Sequence, residues 1–210
     1  MDIVSVAAAE IGYRNKRSDK ELYSKTSNIL DDYNGYTKYG KEYGLNPAAW
    51  CAMFVWWVLE KCGIEYIKSA WVPDWEAKAK RDGMWKTSDP KSGDIVVFGK
   101  SEHIGIVESV SDNLVVTIEG NADNGRVVRN SYYKTSNYLR GYITMSYDVY
   151  KNGSTPEPVY SDSALTNKIG ELNRYETCSK LGKIDGKTIV MYKVDGESYY
   201  KTGFVKFGGI

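Results

Sequence analysis

The sequence from Asn46 to Gly63 reads Asn46-Pro-Ala-Ala-Trp-Cys51-Ala-Met-Phe-Val-Trp-Trp-Val-Leu-Glu-Lys-Cys62-Gly63. Counted from Cys51, its apolar residues recur at i, i+4, i+7, i+8 and i+11, which is the spacing of one face of an α-helix. Gly63 is a typical stop signal just beyond a helix. Pro47 would also suit a first helical position, but we expect Asn46 and Pro47 to lie in the preceding loop and the helix to begin near Trp50.

Cys51 falls at the start of this predicted helix. Backbone N–H groups without partners and the positive end of the helix dipole favour a thiolate there, and the thiolate is the nucleophilic form of cysteine. The same N–H groups can hold an oxyanion that develops during acyl transfer. The position therefore suggests a catalytic cysteine, although free cysteines are more often small buried hydrophobic residues.

The composition narrows the class of protein. The chain has 210 residues, enough for one domain of ordinary size plus a small module. Its net charge is +1, with 28 basic and 27 acidic residues, which gives no sign of a nucleic-acid partner. No apolar run approaches the roughly 20 residues that span a bilayer, so we expect no membrane insertion.

The N-terminus gives an expectation about location. It begins Met1-Asp2-Ile3, without the basic flank and cleavage site of a signal peptide, and Val4 to Ala9 has the pattern of an amphipathic helix. We therefore expect a protein that is cytoplasmic until host lysis releases it to the cell wall, or a secreted protein whose leader has been removed.

The three cysteines do not form a disulfide framework, because their number is small and odd. On one helix, Cys51 and Cys62 would lie roughly 16 Å apart, beyond disulfide reach. The sequence has no CxxC motif or His/Cys cluster, which disfavours a structural zinc site. The acidic pair Asp31-Asp32 lacks the alternating ligand spacing of a calcium loop, so a solvated loop is the better prediction.

Helical and strand-like periods occupy different parts of the chain. Tyrosines near residue 40 and the set Trp71, Trp75 and Ala79 have helical spacing. From Pro90 onward the apolar residues recur every second position, in short runs. This pattern predicts strands at 93–98, 103–110, 114–119, 125–130 and 138–145. Helices followed by strands over residues 1–148 predict an α+β domain, with N-terminal helices packed on an antiparallel sheet.

The remaining residues predict a linker and a small all-β module. Residues 149–163, which include Asn152-Gly-Ser-Thr-Pro-Glu-Pro158, have linker composition. Residues 164–210 contain strand-like runs and two hairpin signals, Asp185-Gly186 and Asp195-Gly196. The tyrosines of this module could stack on glycans or form its core, and both interpretations stay open: Tyr175, Tyr192, Tyr199 and Tyr200.

The single histidine, His103, begins a predicted strand. If strands 103–110 and 114–119 form a hairpin with Val110 opposite Leu114, Glu119 faces Gly105 and Asn121 faces His103. A slip of one residue would break the apolar grouping on the other face, which supports this register. That grouping is Ile104, Ile106, Val110, Leu114, Val116 and Ile118.

An imidazole beside a carboxylate and a carboxamide is the arrangement that activates a cysteine, provided that the helix bearing Cys51 packs against it. Taken singly, His103 and Glu119 are more often ordinary residues at strand ends or on the surface. Taken together, these residues predict a cysteine hydrolase: Cys51, His103, Glu119 and Asn121.

Four motifs resemble, in the same order, the CHAP domains of peptidoglycan amidases and endopeptidases. They are Trp50-Cys51-Ala-Met-Phe-Val, Pro90-Lys-Ser-Gly-Asp-Ile-Val-Val-Phe98, Glu102-His103-Ile-Gly-Ile-Val107 and Thr117-Ile-Glu119-Gly-Asn121. CHAP domains are papain-like folds of phage endolysins and bacterial cell-wall hydrolases, and the resemblance covers about residues 1–148. It implies Cys51 as nucleophile, His103 as general base and acid, and Glu119 with Asn121 as orienting groups, with no cofactor and no metal.

The resemblance also implies a partner, bacterial peptidoglycan, and an amide bond cleaved through a cysteine thioester. The enzyme would be an N-acetylmuramoyl-L-alanine amidase or a D-alanyl-glycyl or cross-bridge endopeptidase. Residues 164–210 resemble, more weakly, an SH3-like or other cell-wall-binding module, which could also mediate self-association. Two alternatives are a stem-peptide cysteine peptidase of the NlpC/P60 group, where a second histidine is common, and a catalytically idle wall-binding module, which should have lost Cys51, His103 or Glu119.

Overall fold

A computed structural model describes residues 3–145, 148–194 and 200–206 of the chain. The chain divides into two compact units: one is Ile3–Met145, and the other contains the described residues from 148 onward. Within the described ranges, no helix is both long enough and apolar enough to cross a membrane.

The first unit consists of helices followed by an antiparallel sheet, which confirms the predicted α+β class. Its helices are α1 (Ile3–Ala9), α2 (Lys38–Tyr43), α3 (Cys51–Lys61) and α4 (Val72–Arg81). Its strands are β1 (Trp85–Lys86), β2 (Ile95–Phe98), β3 (His103–Val110), β4 (Leu114–Ala122), β5 (Arg126–Tyr133) and β6 (Leu139–Ile143). They lie in the order β1-β6-β2-β3-β4-β5, and β1 is a short strand beyond the five predicted.

The helix α3 is the centre of this unit. It begins at Cys51 and ends before Gly63, whose φ of +71° is the left-handed conformation that a helix stop requires. Pro47 lies in the preceding loop, as predicted. The helix contacts α1 and α2 as well as β3 and β4. Its burial therefore extends beyond the predicted stripe to Ala52, Met53, Phe54 and Trp57.

An aromatic cluster fixes the start of α3. Trp50, the residue before Cys51, is 1% exposed and stacks on Tyr39 with ring centroids 5.2 Å apart. Tyr39 also contacts Phe54 at 5.3 Å, and its hydroxyl donates a hydrogen bond to Glu10 at 2.6 Å. Buried aromatic pairs each add about 0.5–1.5 kcal/mol beyond the area that they bury. The position of Cys51 is thus set by packing from α2, which Glu10 holds through Tyr39.

The β3–β4 hairpin has the predicted register near the site and a different register near its turn. Ile106 pairs with Ile118, and Val107 with Thr117, as predicted. A bulge between Val107 and Ser109 then shifts the pairing, so that Val110 faces Val115 and not Leu114. The extra residue of a bulge reverses the alternation beyond it. The predicted apolar stripe is therefore wrong toward the turn, where Val115 is fully buried while Leu114 and Val116 are half-buried.

The second unit is a six-stranded antiparallel sheet in its described residues. Its strands are β7 (Asp148–Lys151), β8 (Glu157–Tyr160), β9 (Lys168–Leu172), β10 (Thr177–Ile184), β11 (Lys187–Lys193) and β12 (Tyr200–Val205), in the order β7-β10-β11-β12-β8-β9. Asp185 and Gly186 have φ of +49° and +74° and form the predicted hairpin turn between β10 and β11. The Asp195-Gly196 signal lies outside the described residues.

The stretch 149–163, predicted as a linker, belongs to this sheet. It contributes β8 and most of β7, and its Gly, Ser and Pro residues lie largely in the turn between them. The Asn152 side chain holds this turn by donating to the carbonyls of Thr155 and Leu172 at 2.9 and 3.0 Å. Of the tyrosines named above, Tyr192 is in the core of the module, Tyr175 is 61% exposed and Tyr199 lies outside the described residues.

Candidate active site

Cys51 is the first residue of α3 and is 8% exposed. The N-cap residue Trp50 makes no side-chain capping bond to the first turn. The first N–H groups of an α-helix have no acceptor within the helix, and the helix dipole places partial positive charge there. The N-terminus of α3 therefore offers N–H donors and positive potential next to the Cys51 sulfur.

His103 connects Cys51 to Glu119. Its Nε2 lies 3.0 Å from Glu119 Oε2, and its ring also makes a side-chain hydrogen bond with Cys51. An ionised carboxylate can only accept a hydrogen bond, so Nε2 carries the proton that faces Glu119. This leaves Nδ1 as the ring nitrogen that can take a proton from Cys51.

The charges of this site are set by two opposing effects. Burial by itself lowers the pKa of His103, but hydrogen bonds and charge from Cys51 and Glu119 outweigh burial and raise the pKa from 6.5 to about 9. Burial by itself raises the pKa of Glu119, but bonds from His103 and Thr117 outweigh it and lower the pKa. At neutral pH, His103 and Glu119 therefore form an imidazolium–carboxylate pair.

Two hydroxyl groups hold Glu119 in place. Its Oε1 accepts hydrogen bonds from Thr117 Oγ1 at 2.6 Å and from the Tyr132 hydroxyl at 3.0 Å, and its side chain is 2% exposed. Sequence analysis missed both partners. Thr117 could have been found from the alternation of β4, which places residues 117 and 119 on one face. Tyr132 could not, because its position depends on the pairing of β4 with β5.

Two glycines make the site possible. A Cβ at Gly105 would lie 2.8 Å from Cγ of Glu119, and a Cβ at Gly120 would lie 2.6 Å from Cβ of Phe54 in α3. Real Cβ atoms essentially never approach other atoms so closely. Gly105 thus leaves room for Glu119 against β3, and Gly120 lets α3 lie close to β4.

Asn121 lies at an irregular point of β4. It is 7% exposed, has φ of +57° and lies where the pairing of β4 with β5 shifts between Glu119 and Ala122. The structure joins Cys51, His103 and Glu119 by hydrogen bonds, whereas among the described residues Asn121 Oδ1 is buried without a hydrogen-bond partner. This irregularity belongs to the pairing of β4 with β5, and the pairing of Asn121 with His103 across β3 and β4 stays a prediction.

Ion pairs account for part of the acidic surface of this unit. Asp31 pairs with Arg14 at 2.8 Å, and Asp123 pairs with Arg126 at 3.0 Å. Across the parts of the chain that the structure describes, no group of three or more His, Cys, Asp or Glu side chains is arranged to hold a metal ion.

Comparison with known proteins gives three findings. Residues 40–121, a segment that includes Cys51, His103, Glu119 and Asn121, match the family model described as CHAP domain. Over 109 residues, 48% of its length, the chain is 35% identical to bacteriocin BCN5 of Clostridium perfringens, and it spans 12% of that protein. Two solved structures of Ly7917, one with the hydrolyzing product of MDP, are 17% identical at TM-scores of 0.35 and 0.34, over 97% of this chain and 90% of theirs.

Proposed function

We propose that this chain, which carries a CHAP domain at residues 40–121, hydrolyses an amide bond of bacterial peptidoglycan with Cys51 as the nucleophile. One observation supports the proposal above all: His103 bonds both to Cys51, at the N-terminus of α3, and to the buried carboxylate of Glu119. A nucleophile, a base and a group that orients the base are the parts that acyl transfer through a cysteine requires.

In the proposed first half-reaction, Cys51 reacts as a thiolate whose proton is on Nδ1 of the His103 imidazolium, and the sulfur attacks the carbonyl carbon of the scissile amide. The oxyanion that forms accepts hydrogen bonds from N–H groups at the start of α3. His103 then donates the proton to the leaving nitrogen. The C–N bond breaks, an amine leaves, and the acyl group remains on Cys51 as a thioester.

In the second half-reaction, a water molecule gives a proton to His103 while its oxygen attacks the thioester carbonyl. The C–S bond breaks, the carboxylic acid product leaves, and the sulfur departs as a thiolate while the proton stays on His103, which restores the starting pair. Glu119 keeps the imidazole oriented and stabilises its charged form in both halves. Asn121 completes the proposed set, with its buried Oδ1 available to accept a hydrogen bond.

The new ends of the released peptidoglycan fragments identify the scissile bond. Purified Gram-positive peptidoglycan is digested with the protein and with Cys51→Ala, and the soluble products are identified by mass spectrometry. Free stem peptides that begin with L-alanine identify an amidase, and cleaved stems or cross-bridges identify an endopeptidase. If neither protein releases fragments from several walls while both still bind them, the hydrolase proposal fails and a wall-binding protein is the better account.

For the second unit we propose attachment to the cell wall. A second attachment point raises the local concentration of the catalytic unit on its substrate. We expect the Cys51→Ala chain to sediment with purified walls more completely than the same chain ended at Met145. Equal sedimentation would contradict this role, and sedimentation velocity on the full chain would then test self-association as the alternative.

A further inference from the structure

Tyr138 is the outermost aromatic residue beside the candidate active site. Its ring stacks on Phe98 with centroids 5.2 Å apart and an interplanar angle of 30°. Phe98 in turn contacts the His103 ring at 5.5 Å. Tyr132, whose hydroxyl bonds to Glu119, lies 6.0 Å from Tyr138. Tyr138 is therefore one ring removed from each member of the His103–Glu119 pair.

The backbone holds Tyr138 in this position. The Gly99 N–H donates to the Tyr138 carbonyl at 2.8 Å, and the next residue, Leu139, pairs with Phe98. Tyr138 nevertheless keeps 43% of its surface exposed. Because Phe98 covers one face of the ring, the exposed surface belongs to the other face and the edge. One face of the Tyr138 ring therefore packs on Phe98, and the other is open to solvent.

Charges at the candidate site act on the hydroxyl of Tyr138. Burial first, and then the charges of Glu119, Glu102 and Cys51, raise the pKa of this phenol. It is therefore neutral at physiological pH, and the exposed ring presents no charge. Such a surface suits an uncharged group with aliphatic C–H bonds.

Exposure alone would not single out this residue, since scattered exposed aromatics are common on protein surfaces. Tyr133 is 69% exposed, more than Tyr138, but it pairs with Leu114 at the end of β4 that lies away from Glu119. What distinguishes Tyr138 is the stack that connects it to His103. Tyr133 thus provides a matched control.

We propose that the exposed face of Tyr138 is a substrate subsite that packs against the uncharged C–H face of the group next to the scissile amide. This inference rests on the proposed peptidoglycan substrate. In peptidoglycan, the group is either a sugar ring or a small aliphatic amino acid, and both offer the same chemistry to the ring. The subsite would orient the substrate carbonyl toward Cys51.

Kinetics on soluble muropeptides test the subsite. For Tyr138→Ala in the full chain we expect KM to rise about tenfold, the size of a contact of about 1.4 kcal/mol, with little change in kcat. Tyr138→Phe keeps the ring and should have a lower KM than Tyr138→Ala, whereas Tyr133→Ala, at a residue outside the proposed subsite, should stay within about twofold of the original protein. Tyr138→Leu, which retains apolar packing on Phe98, serves as a second variant if the alanine variant does not fold.

A binding measurement separates this inference from the proposed function. In a Cys51→Ala background, the affinity for a muropeptide with its sugar and for the peptide without it is compared with and without Tyr138→Ala. If Tyr138→Ala lowers the affinity for only the muropeptide with its sugar, the ring contacts the sugar. If it lowers the affinity for both ligands, the ring contacts the peptide.

The failures of the two proposals are distinguishable. If the original protein shows no hydrolysis, and Tyr138→Ala still weakens muropeptide binding, the proposed function fails and the subsite stands. Unchanged KM and unchanged affinity for both ligands, in an active protein whose Tyr138 variant retains the His103 titration of the original, would overturn the subsite.

Discussion

Glu119 Oε2 lies 3.0 Å from His103 Nε2, and the carboxylate that provides it is almost completely buried. A buried charge costs several kcal/mol unless a partner of opposite charge and further hydrogen bonds compensate for it. His103 supplies that partner, and Thr117 and Tyr132 supply the other bonds. The titration of His103 therefore reports directly on the state of the site.

His103 is the only histidine in the chain, so its ring gives one set of NMR signals. We expect it to titrate with a pKa of about 9, and Glu119→Gln to lower this pKa by about one unit or more. Glu108→Gln is the matched control, because Glu108 pairs with Arg129 instead. Titration near 6.5 in the original protein would contradict this description of the site.

The same shift gives a stability prediction. The pKa of His103 is higher in the folded protein than its ordinary value of 6.5, so its interactions stabilise the fold below about pH 6.5. That contribution is lost as the pH rises through about 9. Denaturant unfolding of the original protein and Glu119→Gln should therefore show a difference in unfolding free energy that shrinks at alkaline pH. If the difference in unfolding free energy grows at alkaline pH instead, this prediction is contradicted.

The cysteines should differ in reactivity toward a thiol-alkylating reagent at neutral pH. Burial first, and then the charge of Glu176, raise the pKa of the Cys178 thiol to about 11, which leaves it almost entirely protonated. We expect Cys51 to be labelled first, and His103→Ala to slow labelling at Cys51 alone. Peptide mapping by mass spectrometry gives the three rates. Equal rates at Cys51 and Cys178 would count against an activated Cys51.

Gly105 is expected to be essential for geometry. In Gly105→Ala, the new Cβ would push against Cγ of Glu119 and displace it from His103. Displacements of about 1 Å can cost on the order of 100-fold in rate, so we expect kcat/KM to fall at least tenfold. Gly153→Ala is the control, because nothing lies within 4 Å of a Cβ there. The idea fails if both variants keep full activity and an unchanged His103 titration.

Arg140 is expected to stabilise the turn before His103. It donates two hydrogen bonds to Glu76, at 2.6 and 2.9 Å, and Glu76 also bonds to Ser101, two residues before His103. Against the effect of burial, the Arg140 guanidinium lowers the pKa of Glu76 from 4.5 to about 2. The stabilisation from Glu76 is therefore present above about pH 4.5 and is lost as the pH falls through about 2.

Denaturant unfolding tests this contribution. Arg140 is 38% exposed and partly screened by solvent, so we expect Arg140→Met to lower the free energy of unfolding modestly at neutral pH and by less in acid. Arg129→Met breaks a more exposed pair with Glu108 and should lower the free energy of unfolding by less than Arg140→Met does. If both variants lower the free energy of unfolding equally, the burial of Glu76 does not strengthen its pair with Arg140.

The sequence predicted the parts of the fold that have a strong period. The spacing of α3 and the hairpin register near Val107 follow from apolar positions that only one alignment satisfies. The bulge between Val107 and Ser109 left no periodic signal, and it changed the pairing of Val110. Turn-forming composition was taken for a linker at 149–163, because Gly, Ser and Pro favour tight turns and flexible connections alike.

The site was predictable to a similar degree. The chain has three cysteines and one histidine, and a helix start and one hairpin bring Cys51, His103 and Glu119 together. The groups that support them depend on contacts between distant segments, such as Tyr132 on β5 and Phe54 on α3. No single-strand or single-helix pattern predicts those contacts.

The most direct test of the central proposal is the rate at which single cysteine variants release fragments from peptidoglycan. We predict that Cys51→Ala lowers this rate by several orders of magnitude without loss of fold, because thioester formation requires the Cys51 sulfur. Cys62→Ala and Cys178→Ala should stay close to the original rate if they remain folded. A Cys51→Ala protein that digests peptidoglycan as fast as the original would contradict the account.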